Sequence, residues 1–478
     1  MKKHNLLKVM MCLLLLIMIV SYIIPGRSGS VTYIALGDVL INSMQSFYFF
    51  FDLAIFILLV GALYGVLNKT VSYKKFLDMI ACKIKPNATK FLIGVIVVFA
   101  LVTALTGISM PLFIFVPCVI SIILLLGYDK LVALSSTIGA IVVGTIGSIF
   151  LNFRNSSSYT FAKTTLEEML DIEKYGNIFP KIFLLALAIF LLVMYVLKHI
   201  KNVKEKKVDY ALKDDADVMV TEVKGDYKNI KVWPIIVVFS LAFVFLVLGL
   251  VPWENLFGIT IFKDFNTWLV SLAIGDFKIF PSIFLSELDK VPFGEFEYLG
   301  SYVLINVLIV VLILIVKFAC KVKFDDMIEG IIDGFKKMLP TAILTTLAYS
   351  ILICAYNNGF METIINWASG LVGGFNLVVT YLLALLGSVF QVDLYYTVQG
   401  VFLPIMQAIK DSAVYPVLAV LFQSSYGIVM MIAPTSLILI AGLTYTNVPY
   451  STWCKYIWRL VIELILVVLA IALILLLI

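Results

Sequence analysis

Apolar runs long enough to cross a lipid bilayer recur along this chain from one end to the other, and a soluble core cannot bury that many of them. A helix needs about 20 residues to cross about 30 Å of hydrocarbon, which leaves room for about ten spans and their connections in a chain of this length. Apolar residues make up 62% of the 478 positions and charged residues 14%, with a mean hydropathy of +1.08. Soluble domains are about half apolar and a quarter charged. The class is therefore an all-α polytopic membrane protein, with membrane lipids as its solvent and no large soluble domain.

The same composition excludes several functions. The six cysteines are scattered with no Cys-x-x-Cys spacing, so they read as small packing residues. His4 and His199 are the only histidines, each beside lysines near a span end, which excludes a histidine proton relay and an all-histidine metal site. No Gly-x-x-x-x-Gly-Lys-Ser/Thr loop is present, which argues against ATP-driven transport. Neither a nucleic-acid partner nor a cofactor is expected.

Lysine and arginine placement sets the expected orientation. The opening MKKHNLLKVMMCLLLLIMIVSYIIPG reads as a retained first helix: the run is long, stops at Pro25-Gly26 and lacks a small-x-small cleavage site. After a second span near 47–67 come Lys69, Lys74, Lys75, Lys83, Lys85 and Lys90, which mark that loop, and with it the N-terminus, as cytoplasmic. Further spans are expected near 91–106, 111–127, 131–151 and 181–197, then a polar stretch of mixed charge. This divides the chain into a first membrane repeat (1–198), a cytoplasmic linker (199–231) and a second membrane repeat (232–478). In the second repeat we expect spans near 233–252 and 301–318, then an amphipathic helix, FDDMIEGIIDGFKKML, lying on the cytoplasmic surface. Segments near 341–356, 376–391, 414–432 and 436–444 follow, and Lys455 and Arg459 mark a cytoplasmic start for the closing helix. The expected location is the cytoplasmic membrane of a bacterium.

Within this frame, GIVMMIAPTSLILIAGL at 427–443 sets Pro434-Thr435-Ser436 in the middle of an apolar run. Proline frees a backbone carbonyl one turn back, and a bare carbonyl in hydrocarbon costs several kcal/mol unless protein or water meets it. The break either lines a cavity, where hydroxyls and carbonyls suit a small cation, or is a kink whose hydroxyls bond back to the helix. GTIGSIFLNFRNSSSYTF at 144–161 is the counterpart in the first half, offering Ser148, Asn152, Arg154 and Asn155. Arg154 is either a cavity residue or a span-end arginine reaching for the interface. Two interrupted stretches read as re-entrant hairpins: LVTALTGISMPLFIFVPCV with Ser109, and GSVFQVDLYYTVQGVFLPI with Asp393, Tyr396 and Thr397. An acid between valine and leucine is costly in a membrane and marks a site unless it is solvated at the outer surface. The pattern is that of two inverted repeats, each with a re-entrant hairpin and a broken transmembrane helix, around a midplane site. Substrate-binding candidates are Ser109, Asn152, Arg154, Asn155, Tyr396, Thr397, Thr435 and Ser436; ion-coupling candidates are Ser148, Asp393, Thr435 and Ser436.

SYIIPG, GVLNKT at 65–70, LGYDKLVAL at 126–134, GTIGS and above all APTSLILIAGLTYTNVPYSTW at 433–453 resemble the anaerobic four-carbon dicarboxylate carrier family, in its branch labelled basic amino acid antiporters, within the ion transporter superfamily. The resemblance implies a dimer of inverted repeats and secondary transport of amino acids or carboxylates. The chain departs from that pattern with Asn152-Phe153-Arg154 in place of Asn-Pro-Phe and Leu394-Tyr395-Tyr396-Thr397 in place of a Ser-Gly-Ser-Gly turn. It also has Gly107-Ile108-Ser109 where an acidic pair is expected. The expected function is a secondary-active transporter for a small-molecule substrate, ion-coupled or exchanging, with sodium as the coupling ion. The alternatives are a membrane enzyme acting on lipid-linked sugars and a channel or non-transporting scaffold. An arginine for the substrate carboxylate and Asp393 for an amino group favour an amino acid.

Overall fold

The computed structural model describes residues 5–24, 33–149, 151–154, 161–172, 178–205, 230–250, 253, 258–279, 282, 302–372, 375–409 and 411–477. Among them, seven helices are long and apolar enough to cross a membrane, and six shorter apolar helices accompany them. The first half runs α1 (Asn5–Ile23), α2 (Leu36–Phe49), α3 (Phe51–Lys69), α4 (Val71–Ile84), α5 (Ala88–Thr106), α6 (Val116–Leu125) and α7 (Lys130–Ile146). A two-stranded hairpin, β1 (Leu151–Arg154) and β2 (Phe161–Thr164), follows, then the short α8 (Leu166–Met169) and the long α9 (Ile178–Lys204).

The second half has α10 (Trp233–Leu250), α11 (Ile261–Ser271), the short strands β3 (Ala273–Ile274) and β4 (Phe277–Lys278), α12 (Tyr302–Ala319), α13 (Phe324–Asn358) and α14 (Phe360–Val372). It ends with α15 (Leu377–Ser388), α16 (394–408), α17 (Tyr415–Met430), α18 (Leu437–Thr446) and α19 (Tyr450–Leu477).

The two halves repeat one packing plan. The first hairpin arm lies on the broken helix that follows it (α5 on α7, α15 on α17), and that broken helix lies on the long closing helix (α7 on α9, α17 on α19). The repeats run in opposite senses: Gly427 of α17 meets Thr145 and Ile146 at the end of α7, whereas Gly442 of α18 meets Leu134 and Ile138 near its start. The closing helices agree, since His199 at the end of α9 lies against Tyr456 at the start of α19. Asn5 reaches Ser451 at 3.4 Å, which puts the first helix's start at that same end of the molecule.

The expected hairpins are both present. In the first, the amide of Gly107 closes α5 onto Thr103 O at 2.7 Å with φ +71°, a left-handed cap that glycine adopts without strain. α5 runs in the same direction as α7, with Gly144 against Ala100 and Ser148 against Ala104, so the chain between them must double back. In the second hairpin, α15 and α16 pack on each other, with Gly387 against Val401.

One expectation fails. The segment 324–339 does not lie on the surface apart from the span that follows; α13 is one helix of 35 residues that continues through Pro340. The cause is Gly-x-x-x-Gly packing, which lets two backbones approach closely in lipid. Gly61 and Gly65 of α3 face Gly334 and Gly330 of α13, so tightly that a Cβ on Gly65 would lie 1.9 Å from the Gly330 oxygen. Beyond this crossing Lys69 bridges Glu329 at 2.9 Å and Asp333 at 3.3 Å. The charged face of α13 therefore answers α3 and not only the membrane surface.

Candidate substrate site

Both hairpin tips and both helix breaks open on one cavity of about 110 Å³. Its walls carry Ser109 from the first tip, Asp393 and Tyr395 from the second, Thr145 and Ser148 at the first break, and Ser436 at the second. Gln423 and Tyr426 of α17 add polar groups to the lining, while Phe50, Tyr302 and Tyr349 contribute aromatic wall from the start of α3, from α12 and from α13. Asp393 is the only charged residue among the described lining.

At the second break two backbone carbonyls are met by aromatic donors. The chain leaves α17 with the Ala433 amide on Val429 O at 2.8 Å and restarts with the Ile440 amide on Ser436 O at 2.9 Å. Between these the carbonyls of Met431 and Ile432 accept from Trp453 Nε1 at 2.8 Å and from the Tyr450 hydroxyl at 2.5 Å. The Val-Pro-Tyr-Ser-Thr-Trp motif thus holds the break open from behind. Each of these two carbonyls thus already accepts one hydrogen bond from α19. The Thr435 hydroxyl donates to Val389 O at 2.8 Å, tying the break to the second hairpin. Ser436 Oγ, on a residue that is 1% exposed, faces the cavity with no hydrogen-bond partner.

The first break is built from close approaches. A Cβ on Gly144 would lie 2.5 Å from Ala100 O, and one on Gly147 would lie 2.6 Å from Lys181 O, so these glycines let helices touch rather than bind a ligand. Ser148 Oγ and the Ile149 amide both donate to Ala104 O, at 3.2 and 2.9 Å, which joins the break to the first hairpin. Next to it Lys181 and Glu167 form a buried ion pair at 2.5 Å, each side chain 3% exposed. Neither residue was singled out in the sequence, where Lys181 opens an apolar run as a span-end lysine and Glu167 is one of two adjacent acids.

Asp393 caps α16: its Oδ1 accepts from the Tyr396 amide at 3.0 Å, and the Thr397 hydroxyl donates to the Asp393 carbonyl at 2.7 Å. Thr397 is fully buried against its own helix, and the Tyr396 ring packs on Phe50 and Tyr356, so neither side chain lines the cavity here. Tyr395, its neighbour, does. Asn152 and Arg154 belong to β1, whose backbone passes beside the first turn of α16; their side chains, and Asn155 altogether, lie outside the described residues.

Gln423 was missed. Its Nε2 donates to Thr145 O at 2.6 Å, linking α17 of one repeat to the first break of the other, and its Oε1 is buried without a partner. The signal was present in LFQSSYG, where a carboxamide interrupts an apolar helix. Tyr426, three residues on, donates to Val392 O at 3.3 Å and so props the second tip.

A family model described as a C4-dicarboxylate anaerobic carrier matches residues 8–478. A Haemophilus influenzae protein described as uncharacterized is 21% identical over 423 residues, covering 86% of this chain and 72% of its own length. The YdaH transporter of Alcanivorax borkumensis, described as having an unusual topology, aligns at a TM-score of 0.40 with 11% identity over 98% of this chain and 97% of that one.

Proposed function

The chain belongs to the C4-dicarboxylate anaerobic carrier family, a family of membrane carriers and not of enzymes, and we propose that it moves an amino acid or small carboxylate across the cytoplasmic membrane by alternating access. The observation that carries this reading is the shared cavity: four chain interruptions, two from each antiparallel repeat, meet around one small space with an apolar wall and a few polar groups. Irregular backbone at membrane depth is tolerated where it is enclosed by protein or lines such a cavity. Rocking one repeat against the other would expose that space to each side in turn.

Charge narrows the substrate. A dicarboxylate would meet Asp393 as a like charge, whereas an amino acid offers it an ammonium and leaves its carboxylate for hydroxyls and the amides at the start of α18; Arg154, on a strand whose backbone runs beside α16, is the candidate cation for that carboxylate. The family description supports a second reading, a dicarboxylate, with a cation between it and Asp393. In either case we assign sodium as the coupling ion, since Asp393, Ser436 Oγ and Gln423 Oε1 are hard oxygen donors and no histidine lines the cavity among the described residues. The family resemblance supports a homodimer. Clustered lysines support a cytoplasmic N-terminus and linker, and the boundaries 1–198, 199–231 and 232–478 follow from the same plan.

A thermal-shift screen of purified protein against amino acids and dicarboxylates, with and without sodium, tests the reading. A true ligand at 100 times its dissociation constant adds about 2.7 kcal/mol of stability. Stabilisation by an amino acid that requires sodium supports the assignment; no shift with any carboxylate-bearing solute would remove it.

A further inference from the structure

Where the end of α9 meets the start of α19, a groove opens on the side of the molecule, away from the substrate cavity. Its upper wall is basic: Lys198 and Lys201 from α9, Lys455 and Arg459 from α19, with Asn202 between the helices. Its one lining acid among the described residues is Glu463, one turn below Arg459; Glu205, outside the lining, lies 3.9 Å from Lys201. Lys198, Lys455 and Arg459 form no ion pair among the described residues. Below this wall the same helix faces turn apolar and outward, with Phe190 and Met194 on α9 and Trp458, Ile462 and Leu466 on α19, all about half exposed.

We propose that this groove seats the phosphate of an anionic phospholipid, with its acyl chains along the apolar faces of α9 and α19. A cluster of cations directly above lipid-facing aliphatic residues matches the order of chemistry along such a lipid, and basic pockets between transmembrane helices are the recurring form of headgroup sites. Trp458, with the Arg459 guanidinium 5.5 Å from its ring, sits where tryptophan prefers the boundary between headgroup and chain. A free phosphate would satisfy the cations but would leave the aromatic and aliphatic floor unused.

The groove's inner wall gives the site something to brace. His199 and Tyr456 both line it. His199 Nε2 lies 2.9 Å from the Asp129 carboxylate, whose other oxygen caps α7 by accepting from the Val132 amide at 2.8 Å. Tyr456 stacks edge-on to His199, its hydroxyl donates to Ser135 Oγ at 3.3 Å, and its carbonyl accepts from the Tyr195 hydroxyl. A lipid here holds together the three helices that meet at the base of the first broken helix.

Thermal unfolding of delipidated full-length protein, titrated with phosphatidylglycerol, phosphatidylcholine or inorganic phosphate, tests this. Phosphatidylglycerol should raise the midpoint and the other two should not. In Lys198→Ala/Arg459→Ala the phosphatidylglycerol concentration for half the effect should rise roughly tenfold or more, as two surface cations each contribute to headgroup attraction. Lys83→Ala/Lys85→Ala, which removes exposed cations elsewhere, should leave it unchanged. If the first variant does not fold, Lys455→Gln should show the same shift at smaller size. Equal stabilisation by phosphatidylcholine, stabilisation by inorganic phosphate alone, or an unchanged titration in the groove variants would each overturn the proposal.

Discussion

Asp393 does two jobs that a substitution can separate. Its carboxylate caps α16 and also supplies the only charge among the described lining of the cavity. Asparagine caps a helix about as well as aspartate, so Asp393→Asn should fold normally. It should nevertheless weaken binding of a substrate ammonium or a coupling cation about ten- to hundredfold, the worth of one hydrogen bond to a charged group. Sodium titration of ligand binding in the purified variant reads this directly, and an unchanged sodium dependence would take Asp393 out of the ion site. Arg154 is tested in parallel: Arg154→Lys keeps the charge but loses the two-pronged geometry, so substrate affinity should fall with folding intact. Binding that survives Arg154→Ala would make it an interfacial anchor. Residues of this kind were partly legible in the sequence, because an acid or a proline flanked by aliphatic residues has few inexpensive explanations. Gln423 escaped because a carboxamide carries no charge, and its role depends on Thr145 in the other repeat, 278 positions away.

Among the elements, the breaks and crossings are set by packing partners that periodicity does not reveal. The Pro-Thr-Ser interruption announces itself, but its stability comes from Tyr450 and Trp453 on α19. Tyr450→Phe leaves the Ile432 carbonyl without its donor and should lower stability by about 1–3 kcal/mol, visible as a lower unfolding midpoint in detergent. An unchanged midpoint would mean that another donor already serves that carbonyl. The α3–α13 crossing makes a sharper contrast between glycines. Gly65→Ala would force a methyl to 1.9 Å from the Gly330 oxygen and should destabilise by about 1–3 kcal/mol or more. Gly94→Ala in α5 meets nothing within 4 Å and should be neutral or gain up to about 1 kcal/mol from helix propensity. Equal unfolding midpoints for the two would argue against the crossing. The difference at 324–339 has the same origin: its charges follow the helical period of a surface helix, and the stripe that Gly330 and Gly334 bury has meaning only with their partners on α3.

Over the whole molecule, the likeness of the two halves was legible as a repeated order of whole and interrupted spans. Their opposite sense follows from contacts such as Gly427 with Ile146 and Gly442 with Ile138. Lys198 and Lys201 stand at the end of one closing helix and Lys455 and Arg459 at the start of the other, the two ends that the structure brings together. The C-terminal end of α19 should therefore lie on the face opposite the linker. Cysteine labelling at a linker position and at a residue appended after Ile478 should mark opposite sides of the membrane, and labelling of both from one side would refute the inverted arrangement.

The central claim is that the two repeats build one site for a carboxylate-bearing solute. Uptake into proteoliposomes tests it most directly, measured for the wild type, Asp393→Asn and Ser109→Ala with radiolabelled amino acids and four-carbon dicarboxylates, under a sodium gradient, a proton gradient or neither. The account predicts sodium-dependent uptake of at least one such solute by the wild type and its loss or strong reduction in both variants, one from each repeat. Uptake driven by a proton gradient alone and indifferent to sodium would reverse the ion assignment. Full uptake by both variants would contradict the shared site itself.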